Sequence, residues 1–284
     1  MLPVEVGEYD ETVDTVIRQS TIGQARLCEY RVKLKDEEGF LEPVNEKMVF
    51  GTCLHYLIAE DLTGNDALTL LSSMNEWVEI ILSEEYDWSL DKVDDVPSFF
   101  SELSSAYRMW KTEVYPKLGE PIAVEKKMLL PLGEGEKGML WLQGTPDAVF
   151  EDHIVDWKTS GKAWKQNKAD YALQPSLYPA LVRQNLGIEV KKFVFYVYDR
   201  SQRRWDVLRT ARRVKDINAS LLTAYDYARK IEAGNLTANP VPDSFNLKRG
   251  WYCSANYCPA WNICPAKYLA DDVNENEIAI RSWQ

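Results

Sequence analysis

Residues 144–161 read GTPDAVFEDHIVDWKTSG, two apolar runs joined by a short polar turn, and they carry two aspartates and a lysine. On the second run Asp156 and Lys158 stand two apart, so both side chains leave the same face of a strand. Asp147, on the neighbouring strand across a turn at 151–153, reaches that face as well. Two carboxylates converging at the end of a sheet make a hard-oxygen site for Mg²⁺ or Mn²⁺, with the carbonyl of Trp157 as a further ligand. A lysine beside such an ion can help deprotonate a water or neutralise charge building on a phosphate. The chemistry indicated is phosphodiester hydrolysis. A D-x-K triplet alone is ordinary, since strand-end aspartates and a solvated lysine make the same pattern.

The elements that must position these residues begin at residue 125. There the pattern is one of strands: EKKMLLPL, a Gly-rich turn at 133–138, MLWLQGTPDAVFE, a short turn, and HIVDWKT. A helix follows over about 163–185, then KKFVFYVYD, a polar turn, WDVLRTARRV, and a final helix near 216–233. Three strands, a helix and two strands predict an α/β core with a mixed sheet. Upstream, STIGQARLCEYRVKLK reads as a helix capped by Ser20 or Thr21. The spacing over 52–118 is mostly helical, interrupted by the acidic EEYDWSLDKVDDVPS.

A chain of 284 residues, 45% hydrophobic, can bury a substantial core. No apolar run approaches the ~20 residues that span a bilayer. The first residues, MLPVEVGEYDETVD, lack the basic start and apolar centre of a signal peptide. The expectation is a soluble protein of the cytoplasm or another intracellular compartment, with no membrane partner. There the five cysteines stay reduced and are candidates for metal ligands or core residues. The net charge of −11 argues against nucleic acid, but its distribution does not. Residues 158–215 hold 14 Lys and Arg against 4 Asp and Glu, leaving 19 against 40 elsewhere. Within that segment Arg203, Arg204, Arg209, Arg212 and Arg213 can line a path for a phosphate backbone, with Trp205 available to stack on a base. The same charges also suit a solvated hairpin edge protected from aggregation. Lys162, Lys165 and Lys168, directly after Lys158, are read as DNA contacts.

Together these residues resemble the RecB-like exonuclease branch of the PD-(D/E)XK nuclease superfamily. Its pattern is a histidine in an early helix, G-x-x-D on the second strand, (D/E)-x-K on the third and Q-x-x-x-Y in the next helix. The counterparts are His55 in GTCLHYLIAED, Asp147 in GTPD, Asp156 and Lys158 in DWKTSG, and Gln174 with Tyr178 in LQPSLYPAL. Glu125, opening the first strand, stands where such nucleases often carry a glutamate. The resemblance implies a restriction-endonuclease-like α/β core with a mixed central sheet flanked by helices. It adds a helical N-terminal region over 1–120 that contributes His55 and Cys28, a nuclease core over 121–235, and a cysteine-bearing segment over 236–284. It also implies a Mg/Mn-dependent deoxyribonuclease. In it His55, Asp147, Asp156 and Trp157 hold the metal, Lys158 activates water and stabilises the transition state, and Gln174 and Tyr178 position the strand. Gln174 and Tyr178, four apart, share one helical face, although an amphipathic helix with Tyr178 in the core needs the same spacing. A lone helical histidine is more often structural than ligating; for His55 the family context reverses that weight.

Cys253, Cys258 and Cys264 crowd into WYCSANYCPAWNICPAKY, and Cys28 lies far upstream. The arrangement is similar to that of AddB-type and CRISPR-associated iron–sulfur exonucleases, which hold a 4Fe–4S cluster on one N-terminal and three C-terminal cysteines. The resemblance implies such a cluster on Cys28, Cys253, Cys258 and Cys264, with Zn²⁺ as the alternative. The gap after Cys253 is four residues where those relatives commonly have two. Cys53 is read as a small core residue. The function expected is a metal-dependent DNA exonuclease or DNA-end-processing nuclease of repair or recombination, acting on DNA with a free end. The chain carries no helicase motif, so unwinding falls to a helicase or recombination protein as partner. The alternative is a catalytically silent nuclease fold that binds DNA or scaffolds a recombination or repair complex. A sequence-specific endonuclease is a third reading, disfavoured by the lack of an obvious separate recognition domain.

Overall fold

The computed structural model describes residues 9–38, 45–65, 93–237, 258 and 260–264. Its strands are β1 (Thr15–Arg18), β2 (Ala123–Val124), β3 (Met128–Glu134), β4 (Met139–Gly144), β5 (Ala148–Val149), β6 (His153–Ser160), β7 (Lys192–Asp199) and β8 (Arg204–Thr210). The helices are α1 (Gln19–Leu27), α2 (Glu29–Glu38), α3 (Glu46–Leu62), α4 (Val96–Met109), α5 (Gln166–Tyr171), α6 (Gln174–Leu186) and α7 (Val214–Glu232). The chain forms two compact units, one drawn from residues 1–43, 131–142 and 222–284, the other from 44–130 and 143–221. No helix among the described residues is long and apolar enough to cross a membrane.

The second unit is built on a five-stranded mixed sheet of order β2-β5-β6-β7-β8, in which β6 and β7 run parallel and the other pairs antiparallel. β7 is buried along nearly its whole length, as its continuous apolar run requires of a strand with both faces covered. On one face Val155, Trp157, Tyr196, Tyr198 and Trp205 pack with Phe50 and Leu54 of α3, Leu103 of α4 and Trp110 in the turn that follows α4. On the other, Tyr178 of α6 lies 6.2 Å from Phe193, and Trp164 lies 5.4 Å from Phe195. α3 begins where the Asn45 side chain accepts the Lys47 and Met48 N–H groups at 3.0 and 3.2 Å. α4 is capped likewise, Asp95 accepting from the Ser98 N–H at 3.0 Å.

A second sheet has the order β1-β4-β3. In the first unit Asp14 accepts from the Met139 N–H and from Trp141 Nε1, each at 2.9 Å. There the buried Glu232 carboxylate takes the N–H groups of Glu136 and Lys137 at 2.7 and 2.9 Å, filling the tight turn after β3.

The structure departs from the sequence expectations in several places. Ser20 and Thr21 lie inside α1, whose N-cap is Arg18, because Thr15–Arg18 forms a strand that runs straight into the helix. That helix breaks at Cys28, whose backbone is extended, and resumes as α2. The run MLWLQGTPDAVFE is two strands, interrupted at 145–147 where Pro146 offers no N–H to a ladder. The helix expected over 163–185 is two, α5 and α6. Trp205 is not available to a base: its ring lies 5.5 Å from Tyr198 and its Nε1 donates to the Ala106 carbonyl at 3.0 Å. The helical spacing read over 66–92 lies outside the described residues.

Candidate active site

β6 alternates Ile154, Asp156 and Lys158 on one face with Val155, Trp157 and Thr159 on the other, so the core side of the strand fixes the register of its polar side. Asp156 is buried and forms an ion pair with Lys158. Asp147 stands just before β5, and its Oδ2 accepts the Trp157 N–H at 2.6 Å, which aims this carboxylate at the end of β6. The glycine of GTPD has a packing role. A Cβ at Gly144 would meet Leu181 Cδ1 at 2.6 Å and Tyr178 Cε1 at 2.9 Å, so only glycine lets α6 pass this close.

α3 delivers the histidine. A Cβ at Gly51 would stand 3.0 Å from Thr159 Oγ1, a close approach of helix to strand. One turn later His55 Nδ1 lies 3.5 Å from Asp147 Oδ2. Glu125 completes the group from the other side, in the bend between β2 and β3 rather than at the start of a strand. Its φ of 44° is a left-handed conformation uncommon outside glycine, and its N–H donates to the Asp147 carbonyl at 3.1 Å. Ligand atoms of His55, Glu125 and Asp147 all lie within 4.8 Å of one another.

The electrostatics of this group call for a cation. Burial and the neighbouring carboxylates push Glu125 upward; burial likewise raises Asp147, though Lys158 and the Trp157 N–H pull it back. Burial lifts Asp156 from 3.8 to about 6, with Asp147 adding to the rise and Lys158 opposing it. Burial, with Lys158 beside it, depresses His55 to about 4, so the ring is neutral at pH 7 and has a lone pair to offer a metal. Lys158 is raised despite its burial because Asp156 and Asp147 hold its charge. Carboxylates that resist ionisation beside a neutral imidazole fit a divalent cation taking oxygen and nitrogen ligands.

An open cleft of about 1000 Å³ adjoins the group, lined among others by His55, Lys158, Thr159, Gly51 and Arg200. Arg200 is fixed there by two bonds of 2.8 and 2.7 Å to Glu102 and one of 3.3 Å to Glu46.

Of the residues singled out in the sequence, His55, Asp147, Asp156, Trp157 and Lys158 come together. Tyr178 is buried beneath them, its hydroxyl raised by burial and then by the charges of Asp156, Asp147 and Glu125; Gln174 opens the same helix. Lys162 is exposed after β6, and Lys165 and Lys168 are exposed at the start of α5 and within it. Arg203 and Arg204 stand at the β7–β8 turn, Arg204 paired with Asp206 at 3.0 Å. Arg212 is engaged by the Ala169 and Ala172 carbonyls, whereas Arg213 is exposed and paired with Asp216 at 2.9 Å. Glu125 was marked in the sequence only through the family resemblance and left out of the ligand set. Its place beside His55 and Asp147 depends on a backbone turn that no local pattern announces. Cys258 is pushed up by burial, and also by the nearby Cys264 and Cys28. Cys253 lies outside the described residues, and Cys53 is a core residue of α3.

A comparison with curated protein sequences finds no match. Among solved structures, a Eubacterium rectale protein described as "Putative exonuclease" superposes with a TM-score of 0.51 at 13% identity, over 79% of this chain and 84% of that one. The structure of SSO0001 aligns over 93% and 90% of the two chains at 13% identity, with a TM-score of only 0.42. The model of the PD-(D/E)XK nuclease superfamily matches residues 19–265, a span that holds every residue of the site just described. With the mixed sheet and the Asp156–Lys158 pair on its central strand, that match makes this chain a member of the PD-(D/E)XK nuclease superfamily.

Proposed function

We propose that the protein is a Mg²⁺- or Mn²⁺-dependent DNA exonuclease, or a DNA-end-processing nuclease, that hydrolyses phosphodiester bonds. The observation that carries the reading is the convergence of Glu125, Asp147 and Asp156 with neutral His55 around the Lys158 ammonium. His55, Glu125, Asp147, Asp156 and the Trp157 carbonyl would hold the metal. When bound, it supplies Lewis acidity to a phosphoryl oxygen and to a water. The chain's own residues do the rest. Lys158, held protonated by the carboxylates around it, orients the attacking water and neutralises charge developing on the phosphoryl oxygens. Asp147, locked by the Trp157 N–H, keeps the ligand set in place as the strand moves through the cleft. Tyr178 and Gln174 support the site from α6, and Lys162, Lys165, Lys168, Arg203 and Arg204 attract the backbone.

Cys28, Cys253, Cys258 and Cys264 would hold a 4Fe–4S cluster in the first unit. The reading is supported by the nearness of Cys28 and Cys264 to Cys258, whose thiol is pushed up first by burial and further by those two neighbours. The test of the end-directed mode uses linear and covalently closed circular DNA with Mn²⁺. An exonuclease degrades the first and spares the second, whereas rapid cutting of closed circles would make it an endonuclease.

A further inference from the structure

α5 has only six residues, yet its inner side is firmly pinned. Gln166 Nε2 donates to the Arg209 carbonyl at 2.8 Å and to Asp170 Oδ1 at 2.9 Å. Arg212 Nη2 donates to the carbonyls of Ala169 and Ala172 at 3.2 and 3.0 Å, across a fully buried Ala169. These bonds engage the Arg212 guanidinium as an anchor and leave the outer side of the helix to Lys165, Lys168 and Tyr171. The spacing of three places successive members as neighbours along about 9 Å of helix.

Tyr171 is 84% exposed, while Tyr107, Tyr178, Tyr196 and Tyr198 of the same unit are all buried. Its neighbour Lys168 is positioned rather than free, its Nζ 4.0 Å over the Trp164 ring. Trp164 in turn packs on Phe195, the β7 residue paired with Asp156. A helix pinned to β8, entered from Trp164 on Phe195 of β7 and displaying two cations followed by an aromatic ring, matches one chemistry. Phosphates pair with the ammonium groups, and an unpaired base stacks on the ring.

We propose that Tyr171, Lys165 and Lys168 form a stacking platform for a single strand of DNA leading to the Asp156–Lys158 site, so that the strand is unpaired where it enters. The proposal rests on the nuclease reading and names its substrate class. Duplex bases already stack on one another and have no free face for Tyr171, except at a blunt end. Because α5 is anchored before the strand arrives, little ordering cost falls on binding.

The test is fluorescence anisotropy of a labelled oligothymidylate and of a labelled duplex closed at both ends by non-nucleotide linkers, in EDTA so that no strand is cut. Tyr171→Ala should weaken single-strand binding by roughly 5- to 150-fold, the range for loss of one base–aromatic stack. Tyr171→Phe should retain it, and duplex binding should change less than about twofold. A single abasic position moved along the strand should reproduce the loss in the wild type and add nothing in Tyr171→Ala, a coupling that a merely structural role would not produce. Equal single-strand affinity of wild type and Tyr171→Ala, an equal loss on the end-closed duplex, or no abasic coupling would each overturn the platform. The readout needs no turnover. A protein that binds in this pattern yet cuts nothing with Mn²⁺ would therefore strike at the nuclease reading alone.

Discussion

Replacing Asp156 by asparagine keeps the shape of the side chain, removes its charge, and should make the metal-free protein more stable at neutral pH. Asp156 is 2% exposed, and its pKa rises from 3.8 to about 6 through burial first, with Asp147 adding and Lys158 opposing. At ~1.4 kcal/mol per pKa unit, ionised Asp156 costs the metal-free native state about 3 kcal/mol relative to its protonated form. A carboxyl whose folded pKa is raised keeps its proton longer in the native state. Its contribution to stability is therefore full below 3.8 and is lost as pH rises through about 6. His55 runs the other way. Its folded pKa of about 4 lies below 6.5, so its contribution is present above 6.5 and is lost as pH falls through about 4. The histidine is present in both proteins, so the difference between variant and wild type isolates the aspartate. Urea unfolding in EDTA should show Asp156→Asn ahead by about 3 kcal/mol at pH 7.5, roughly 5–10 °C in Tm, and near parity at pH 4. Mn²⁺ at about a thousand times its Kd should reverse the order, stabilising the wild type by about 4.1 kcal/mol and the variant far less. A variant no more stable than wild type at pH 7.5 in EDTA would refute the account of a charge-frustrated site.

Glu125→Gln should lower Mn²⁺ affinity at least about tenfold in titration calorimetry, the size of effect seen even for supporting partners of a metal site; unchanged affinity would remove Glu125 from the ligand set. Gly144→Val should cost at least ~1–3 kcal/mol, because even a Cβ falls 2.6 Å from Leu181 Cδ1, and a thermal melt matching wild type would contradict the close passage of α6. Replacing Lys162, Lys165 and Lys168 together by alanine should reduce the slope of log affinity against log salt for single-stranded DNA by about 2, at ~0.7 per phosphate contact. An unchanged slope would assign those lysines to solvent.

The chemistry-bearing strand was legible in the sequence because its two faces obey different rules. Val155 and Trp157 must be buried, which forces Asp156 and Lys158 to share the opposite face whatever surrounds them. β7 was legible for a related reason, since a continuous run such as FVFYVY is stable only between two covering layers. What escaped depends on partners distant in sequence or on backbone turns. Trp205 looked free until Ala106, 99 residues away, supplied a carbonyl for its indole. Arg212 looked like a phosphate contact, but the loose ends of α5 claim it. The positive φ at Glu125 follows from its bond to the Asp147 backbone, a pairing across 22 residues that local propensity cannot encode. The N-terminal strand was hidden because four residues, TVIR, are too few to display an alternation before helix begins.

The most direct test of the central claim is the rate at which end-labelled linear DNA is degraded by wild type and by Lys158→Ala, each with Mn²⁺ and with EDTA. Lys158 holds no metal in this account, so the variant should still bind Mn²⁺ while losing the cation that stabilises the phosphoryl charge. Wild type should degrade the DNA only with Mn²⁺, and Lys158→Ala should be slower by at least about 100-fold, the usual loss when one preorganised charge-stabilising donor is removed. Degradation by Lys158→Ala at the wild-type rate, or undiminished activity of the wild type in EDTA, would contradict the assignment of this site as the seat of metal-dependent hydrolysis.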